Sequence, residues 1–144
     1  MLNVQAANVG APKQVALGSD LNSLVQALRS KGFTVLFQHP PRKDTYGQFY
    51  SKNKTLYVSP LAFELGIGRQ VLIHEAIHAV QSCPSGRLTL LGWKLSAPVV
   101  VQREINRILL DSYHSNEYLE KEAFTGQSSP NAVPWLLRDI KKRC

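Results

Sequence analysis

The side chains best suited to chemistry in this chain belong to an H-E-x-x-H motif formed by His74, Glu75 and His78. The motif lies in a largely apolar stretch, residues 69 to 81, that we expect to form a helix. On a helix the two histidines project from one face about one turn apart, so both can bind the same metal ion. Glu75 can then reach a water molecule on that ion. The motif therefore predicts the core of a zinc hydrolase site, with Glu75 as the general base.

A motif this short also arises by chance, in roughly one of every few hundred chains of this size. Here, however, apolar residues on both sides of the motif should bury most of the helix. Buried polar side chains must find partners or they destabilise the protein. The two histidines could be ordinary hydrogen-bonded core residues. A metal ion would satisfy all three polar groups at once, and we therefore predict zinc as the cofactor.

A zinc site with two histidines needs a third protein ligand, and the segment from residue 117 to 124 contains three glutamates. If this segment is helical, Glu120 lies within about 40° of the centre of its apolar face, whereas Glu117 and Glu122 lie about 100° or more away. We therefore predict Glu120 as the third ligand. Glu122 is the alternative, because a short helix can rotate. All three glutamates could instead form a solvated acidic surface.

Other polar side chains are candidates to stabilise the tetrahedral oxyanion of a hydrolysis reaction, although each is also a common packing or surface residue type. These candidates are His114, Tyr118, Tyr113 and Tyr50. Gln81 follows His78 by three residues and lies on nearly the same helix face. It could line the cleft, or simply end the helix as a polar residue.

The segments before the motif have patterns typical of alternating helix and strand. Residues 1 to 18 lack periodicity and are expected to form a loose arm or one short strand. A helix that ends near Gly32 should lead into a buried strand at residues 33 to 37. A hairpin is expected over residues 47 to 59, and the motif helix over about residues 66 to 82.

The C-terminal half is predicted to be wholly helical, with helices at residues 98 to 114, around 116 to 125, and from 129 onward. We therefore predict one α+β domain over residues 1 to 144, in which an N-terminal helix and a sheet of about three strands pack on the motif helix. Residues 54 to 59 are expected at the border of the sheet, where an extended peptide could add as a further strand.

Composition and charge limit the partners of the protein. With 144 residues, of which 44% are hydrophobic and 19% charged, the chain suits one compact domain. No apolar run approaches the roughly 20 residues that span a bilayer and no signal peptide is visible, so we expect a cytoplasmic protein outside the membrane. The net charge of +7 is spread along the chain without an RNP, KH or zinc-finger pattern. We interpret it as steering anionic partners and do not expect nucleic acid to be the main one.

The two cysteines, Cys83 and Cys144, are too few to indicate a disulfide framework. We therefore expect free thiols. A bridge that ties the C-terminal end to the motif helix is the alternative, because the distance between the two cysteines cannot be read from the sequence.

The metal motif and its neighbours resemble those of a known group of enzymes. His74-Glu75-x-x-His78 followed by Glu120-x-x-Ala123 is similar to the gluzincin arrangement of thermolysin-like peptidases and, in smaller size, of the ImmA/IrrE metallopeptidases. The preceding hairpin and strand resemble those that lead into the active helix of small zincins. The resemblance covers about residues 20 to 125 and implies a zincin-like domain that hydrolyses peptide bonds. Phe124 stands where ExxAD-like patterns have an Asp or Asn that holds a ligand histidine, which leaves that supporting contact unassigned.

Three functions remain open at this level. The first is a zinc-dependent peptidase that acts on a peptide or protein substrate. The second is a zincin-fold metal-binding protein that binds a peptide or protein partner without efficient catalysis. The third is a basic nucleic-acid-binding regulator in which zinc is purely structural, which salt-sensitive DNA binding would support.

Overall fold

The structure is a computed structural model that describes residues 16 to 95 and 117 to 144. Most of the expected N-terminal arm, the helix expected at residues 98 to 114, and the candidates Tyr113 and His114 lie outside the described residues. The described elements are α1 (Ser19–Ser30), β1 (Thr34–Leu36), β2 (Gly47–Tyr50), β3 (Thr55–Val58), α2 (Pro60–Glu64), α3 (Gly68–Gln81), α4 (Glu117–Gly126) and α5 (Ala132–Arg143).

These elements form an α+β fold around a small mixed sheet with the strand order β1, β3, β2. β1 runs parallel to β3, and β2 pairs with β3 in antiparallel register, with Gly47 opposite Val58 and Tyr50 opposite Thr55. The prediction that residues 54 to 59 border the sheet is wrong. β3 is the central strand because β1, distant in sequence, pairs along its second side. The two border strands of the described sheet are therefore β1 and β2.

The motif helix α3 forms the centre of the core. Residues 72 to 81 of this helix are all buried, because the sheet packs on one side and α4 and α5 pack on others. Over residues 72 to 81 the helix has no solvent-facing side on which to place polar groups. Its histidines, its glutamate and Gln81 must therefore be satisfied inside the protein.

Several element boundaries differ from the sequence prediction. A short helix, α2, lies between the hairpin and the motif helix, where the sequence predicts no element. The Ser59 hydroxyl caps it by accepting from the Leu61 N–H at 3.3 Å. The last helix begins at Ala132, three residues later than expected. The C-terminal half is helical over α4 and α5, whereas residues 82 to 95 contain neither helix nor strand. None of the helices among the described residues is long and apolar enough to cross a membrane.

A disulfide joins Cys83 to Cys144, so the expectation of free thiols is wrong. The two cysteines meet because α5 packs against α1 and α3, which brings its C-terminal end to the end of the motif helix. Arg143 supports the contact by donating to the Thr89 hydroxyl at 2.6 Å and to the carbonyl of Leu90 at 2.9 Å. Structural disulfides persist mainly in oxidising compartments. A cytoplasmic location stays a prediction, and the bridge does not favour it.

Loss of this disulfide should destabilise the protein substantially. The bridge closes a loop with a sequence separation of 61 residues, and restraint of a loop of that length in the unfolded chain contributes about 4 kcal/mol. We expect the Cys144→Ser variant to unfold at a correspondingly lower denaturant concentration, measured by urea unfolding. Addition of a reductant should destabilise the wild type but not the variant. An unchanged midpoint would contradict a structural role of the bridge.

Candidate metal centre

Two histidines of α3 and one glutamate of α4 converge at the centre of the fold. Nε2 of His74 lies 3.2 Å from Oε1 of Glu120, and Nε2 of His78 lies 3.2 Å from Oε2 of the same carboxylate. The three side chains offer ligand atoms that all lie within 4.8 Å of one another. Neighbouring ligands in a tetrahedral zinc site are about 3.3 Å apart, given zinc–ligand distances of about 2.0 to 2.1 Å. The spacing of these groups thus fits a shared metal ion.

The Nε2 atom of His78 forms no well-aligned hydrogen bond with the residues that the structure describes. It is buried, and Glu120 lies beside it. A carboxylate offers only lone pairs, so either a proton on Nε2 or a metal ion must lie between the two groups. The imperfect hydrogen-bond geometry between Nε2 and Glu120 is the second observation that fits a metal ion at this position.

Two glutamine side chains hold the far side of the histidine rings. Oε1 of Gln127 lies 2.8 Å from Nδ1 of His74, and Oε1 of Gln81 lies 2.7 Å from Nδ1 of His78. Amide oxygens can only accept, so each Nδ1 carries a hydrogen and each Nε2 faces Glu120. Histidines that bind metals are commonly oriented by a hydrogen bond of this kind from the other ring nitrogen.

Gln127 and Gln81 thus supply the hydrogen bonds that hold the ligand histidines, the contact that the sequence left unassigned. Gln127 follows Glu120 by seven residues, which on a helix places both on one face, so this spacing could have identified it. Phe124, which stands in place of an Asp or Asn, packs edge-on against the His74 ring at a centroid distance of 4.5 Å. It supports the histidine by packing rather than by a hydrogen bond.

Glu75 is buried next to this cluster, against the first residue of strand β2. A Cβ atom on Gly47 would lie 3.1 Å from Oε2 of Glu75 and 2.5 Å from a methyl group of Val71, so only glycine lets the strand approach this closely. Burial raises the pKa of the Glu75 carboxyl above its ordinary value, although the nearby His74 and His78 oppose this shift. The geometry places a carboxylate beside the cluster and beside a border strand.

The charges of the cluster depend strongly on one another. Burial alone would lower the pKa of His78, but the contact with Glu120 and its negative charge outweigh burial and raise this pKa to about 9. For Glu120, burial acts to raise the pKa, but the contacts with His74 and His78 lower it well below its ordinary range. Without a metal, the cluster is thus held together at neutral pH by a protonated imidazole and an ionised carboxylate.

Apart from Glu122, the other predicted site residues that the structure describes are either exposed or on another face of the sheet. Tyr118 is 66% exposed on α4. Tyr50 packs edge-on against Tyr57 and, three residues after Gly47, lies on the opposite face of β2 from that glycine. Glu117 is exposed, in agreement with its predicted orientation.

Glu122, the alternative third ligand, is not part of the cluster, yet it is buried rather than turned to solvent. Its carboxylate accepts from Nε2 of Gln81 at 2.9 Å and from the backbone N–H groups of Leu91, Gly92 and Trp93 at 2.8 to 3.2 Å. The helical angle separates Glu122 from Glu120 as predicted, but it does not reveal that Glu122 is buried. α4 packs between α3 and the segment around residue 92, so it has two buried sides.

Comparison of this chain with protein-family models, with curated proteins and with solved structures finds no match. The class of protein that the fold and the cluster define is an α+β domain with a candidate His, His, Glu metal centre inside its core.

Proposed function

We propose that this protein is a small zinc metallopeptidase with a zincin-like active site. The observation that carries the proposal is the convergence of His74, His78 and Glu120 on one point, with both Nε2 atoms directed at the carboxylate. Two histidines, one carboxylate and an open fourth position are a common ligand set of catalytic zinc. The sequence resemblance to gluzincins, which rests on the same residues and on Glu75, agrees with this proposal.

The residues of the cluster would divide the work of hydrolysis as follows. His74, His78 and Glu120 would hold the zinc ion, which when bound acidifies a water molecule and polarises the scissile carbonyl. Glu75 would accept the proton of that water and return it to the nitrogen of the leaving amine. The burial of Glu75 beside the cluster excludes bulk solvent from this carboxylate. Gln127 and Gln81 would keep the imidazole rings in the orientation that exposes Nε2.

Strand β2 is the surface on which an extended peptide substrate would bind. It is a border strand of the described sheet, and its first residue, Gly47, lies against Glu75. A peptide added to this border through main-chain hydrogen bonds would run past the general base. Proline or N-methyl substitutions at the paired positions should therefore prevent cleavage, and their having no effect would argue against strand addition.

One observation favours the second candidate, a zinc-binding protein that binds a peptide without efficient turnover. Of the four residues considered for oxyanion stabilisation, the structure describes two: Tyr50 lies on the face of β2 opposite Gly47, and Tyr118 is largely exposed on α4. Incubation of the zinc-loaded protein with a peptide library separates the candidates. We expect cleavage that a chelator abolishes and added zinc restores. Zinc binding without cleavage of any peptide would favour the second candidate.

Zinc affinity should depend on pH in a defined direction. His78, whose pKa is raised to about 9 in the zinc-free protein, must lose its proton before Nε2 can bind zinc. Between pH 6 and 8 the apparent affinity should therefore rise about tenfold per pH unit for each proton released. Competition with a chelator of known affinity measures this slope. A pH-independent affinity would contradict ligation by His78.

A further inference from the structure

Gln81 lies completely buried between a proposed metal ligand and a carboxylate outside the cluster. Its Oε1 faces Nδ1 of His78, while its Nε2 donates to Glu122 at 2.9 Å and to the carbonyl of Leu119 at 3.2 Å. Both partners of Nε2 are acceptors. The amide therefore cannot turn over without directing its oxygen at two other oxygens. This fixed orientation in turn requires a hydrogen on Nδ1 of His78 and leaves Nε2 as the nitrogen that can bind a metal.

Glu122 is itself held in place by the backbone. The N–H groups of Leu91, Gly92 and Trp93 all donate to its two oxygens, an arrangement that the positive φ of Gly92, 84°, makes possible. The carboxylate thus joins this loop to Gln81. Four donors on one buried carboxylate leave it no role as a metal ligand, and they explain how an acidic side chain is accommodated at this buried position.

We propose that Glu122 is a positioning residue that acts through Gln81 to keep His78 in its metal-binding orientation. The role in zinc binding rests on the proposed function, whereas the hydrogen-bond chain from Glu122 to His78 exists in the protein without metal. The loop at residues 91 to 93 is thereby coupled to a ligand of the metal centre. Any change that withdraws this loop from Glu122 would loosen the hold on His78.

The Glu122→Met variant tests the chain by replacing the carboxylate with an apolar side chain of similar length. Gln81 then keeps only the long contact to Leu119 and can turn over, so His78 loses its fixed acceptor. We expect the zinc dissociation constant, measured by chelator competition, to rise about tenfold, as is common when an outer hydrogen bond of a metal ligand is removed. In zinc-free protein, the Nδ1–H of His78 should exchange faster with solvent by ¹⁵N NMR.

Asp139 offers a matched control. Its buried carboxylate accepts from the Trp93 indole at 2.8 Å, so it anchors the same loop without touching Gln81. The Asp139→Leu variant should keep zinc affinity within about threefold of wild type, well below the effect of breaking the hydrogen-bond chain from Glu122 to His78.

The Gln81→Glu/Glu122→Gln double variant should restore slow exchange at Nδ1 of His78, because a carboxylate at position 81 can only accept. If Glu122→Met does not fold, Gln81→Met takes its place. This variant removes the oxygen that accepts from the Nδ1–H of His78 and leaves the contacts of Glu122 with the loop intact.

The outcomes separate this proposal from the proposed function. If Glu122→Met, or Gln81→Met in its place, matches Asp139→Leu in both zinc affinity and Nδ1–H exchange, the positioning role is wrong. If the expected differences are found but no variant and no wild-type protein cleaves peptides, the peptidase assignment fails and the positioning role stands. If wild type binds no zinc, the exchange measurement in zinc-free protein decides the role of Glu122 alone.

Discussion

Replacing Glu75 with glutamine is expected to leave zinc bound and to reduce peptide cleavage about a thousandfold, the usual scale of general acid–base catalysis. Glutamine has nearly the same shape and cannot accept a proton under these conditions. Because Glu75 lies beside the metal cluster without belonging to it, metal binding should not change. The measurements are the cleavage rate of a fluorogenic peptide and the zinc content of the same purified sample.

Glu64 provides the control for this prediction. It is an exposed glutamate at the end of α2, so Glu64→Gln changes the same chemical group away from the site. This variant should keep both full activity and zinc. Full activity of Glu75→Gln would exclude Glu75 as the general base. Loss of zinc together with activity would show instead that Glu75 supports the metal site.

The Glu120→Gln variant is expected to weaken zinc binding by more than about 100-fold, beyond the range that follows loss of an outer hydrogen bond. The carboxylate faces both histidine Nε2 atoms at 3.2 Å, so its removal takes away one ligand and the negative charge that balances the ion. Zinc affinity by chelator competition measures the effect. Glu117→Gln, on the same helix but exposed, should bind zinc like wild type.

A second consequence of Glu120→Gln appears in the zinc-free protein. Glu120 is the largest influence that raises the pKa of His78 to about 9 against the opposing effect of burial, with smaller contributions from Glu75 and Gln81. Without the charge of Glu120, burial is opposed only by these smaller contributions, so the pKa of His78 should fall. An NMR titration of the histidine ring follows this shift. Unchanged zinc affinity and an unchanged histidine pKa would together mean that Glu120 does not face the histidines in solution.

The parts of the fold that could be predicted from the sequence are those set by local pattern. The helical period placed the motif helix within two residues of its observed bounds, Gly68–Gln81, and placed α4 around Glu117–Gly126. The same period on α4 directed Glu120 rather than Glu122 toward the histidines. These inferences succeed because side-chain direction on a helix depends on spacing alone.

The parts that could not be predicted depend on contacts between distant segments. β3 is central because β1 pairs beside it, and no local pattern encodes that pairing. Glu122 is buried because a loop with no regular structure closes over α4, which a single helical face cannot reveal. The same holds for the disulfide, since only the packing of α5 brings Cys144 to Cys83.

A crystal structure of the protein grown with zinc, with anomalous data collected on both sides of the zinc absorption edge, tests the central claim most directly. We predict one strong peak between Nε2 of His74, Nε2 of His78 and the Glu120 carboxylate, at about 2.0 to 2.2 Å from each ligand atom. A structure in which Glu120 remains in contact with both histidines and no anomalous peak appears between them would contradict the metal centre and the peptidase function built on it.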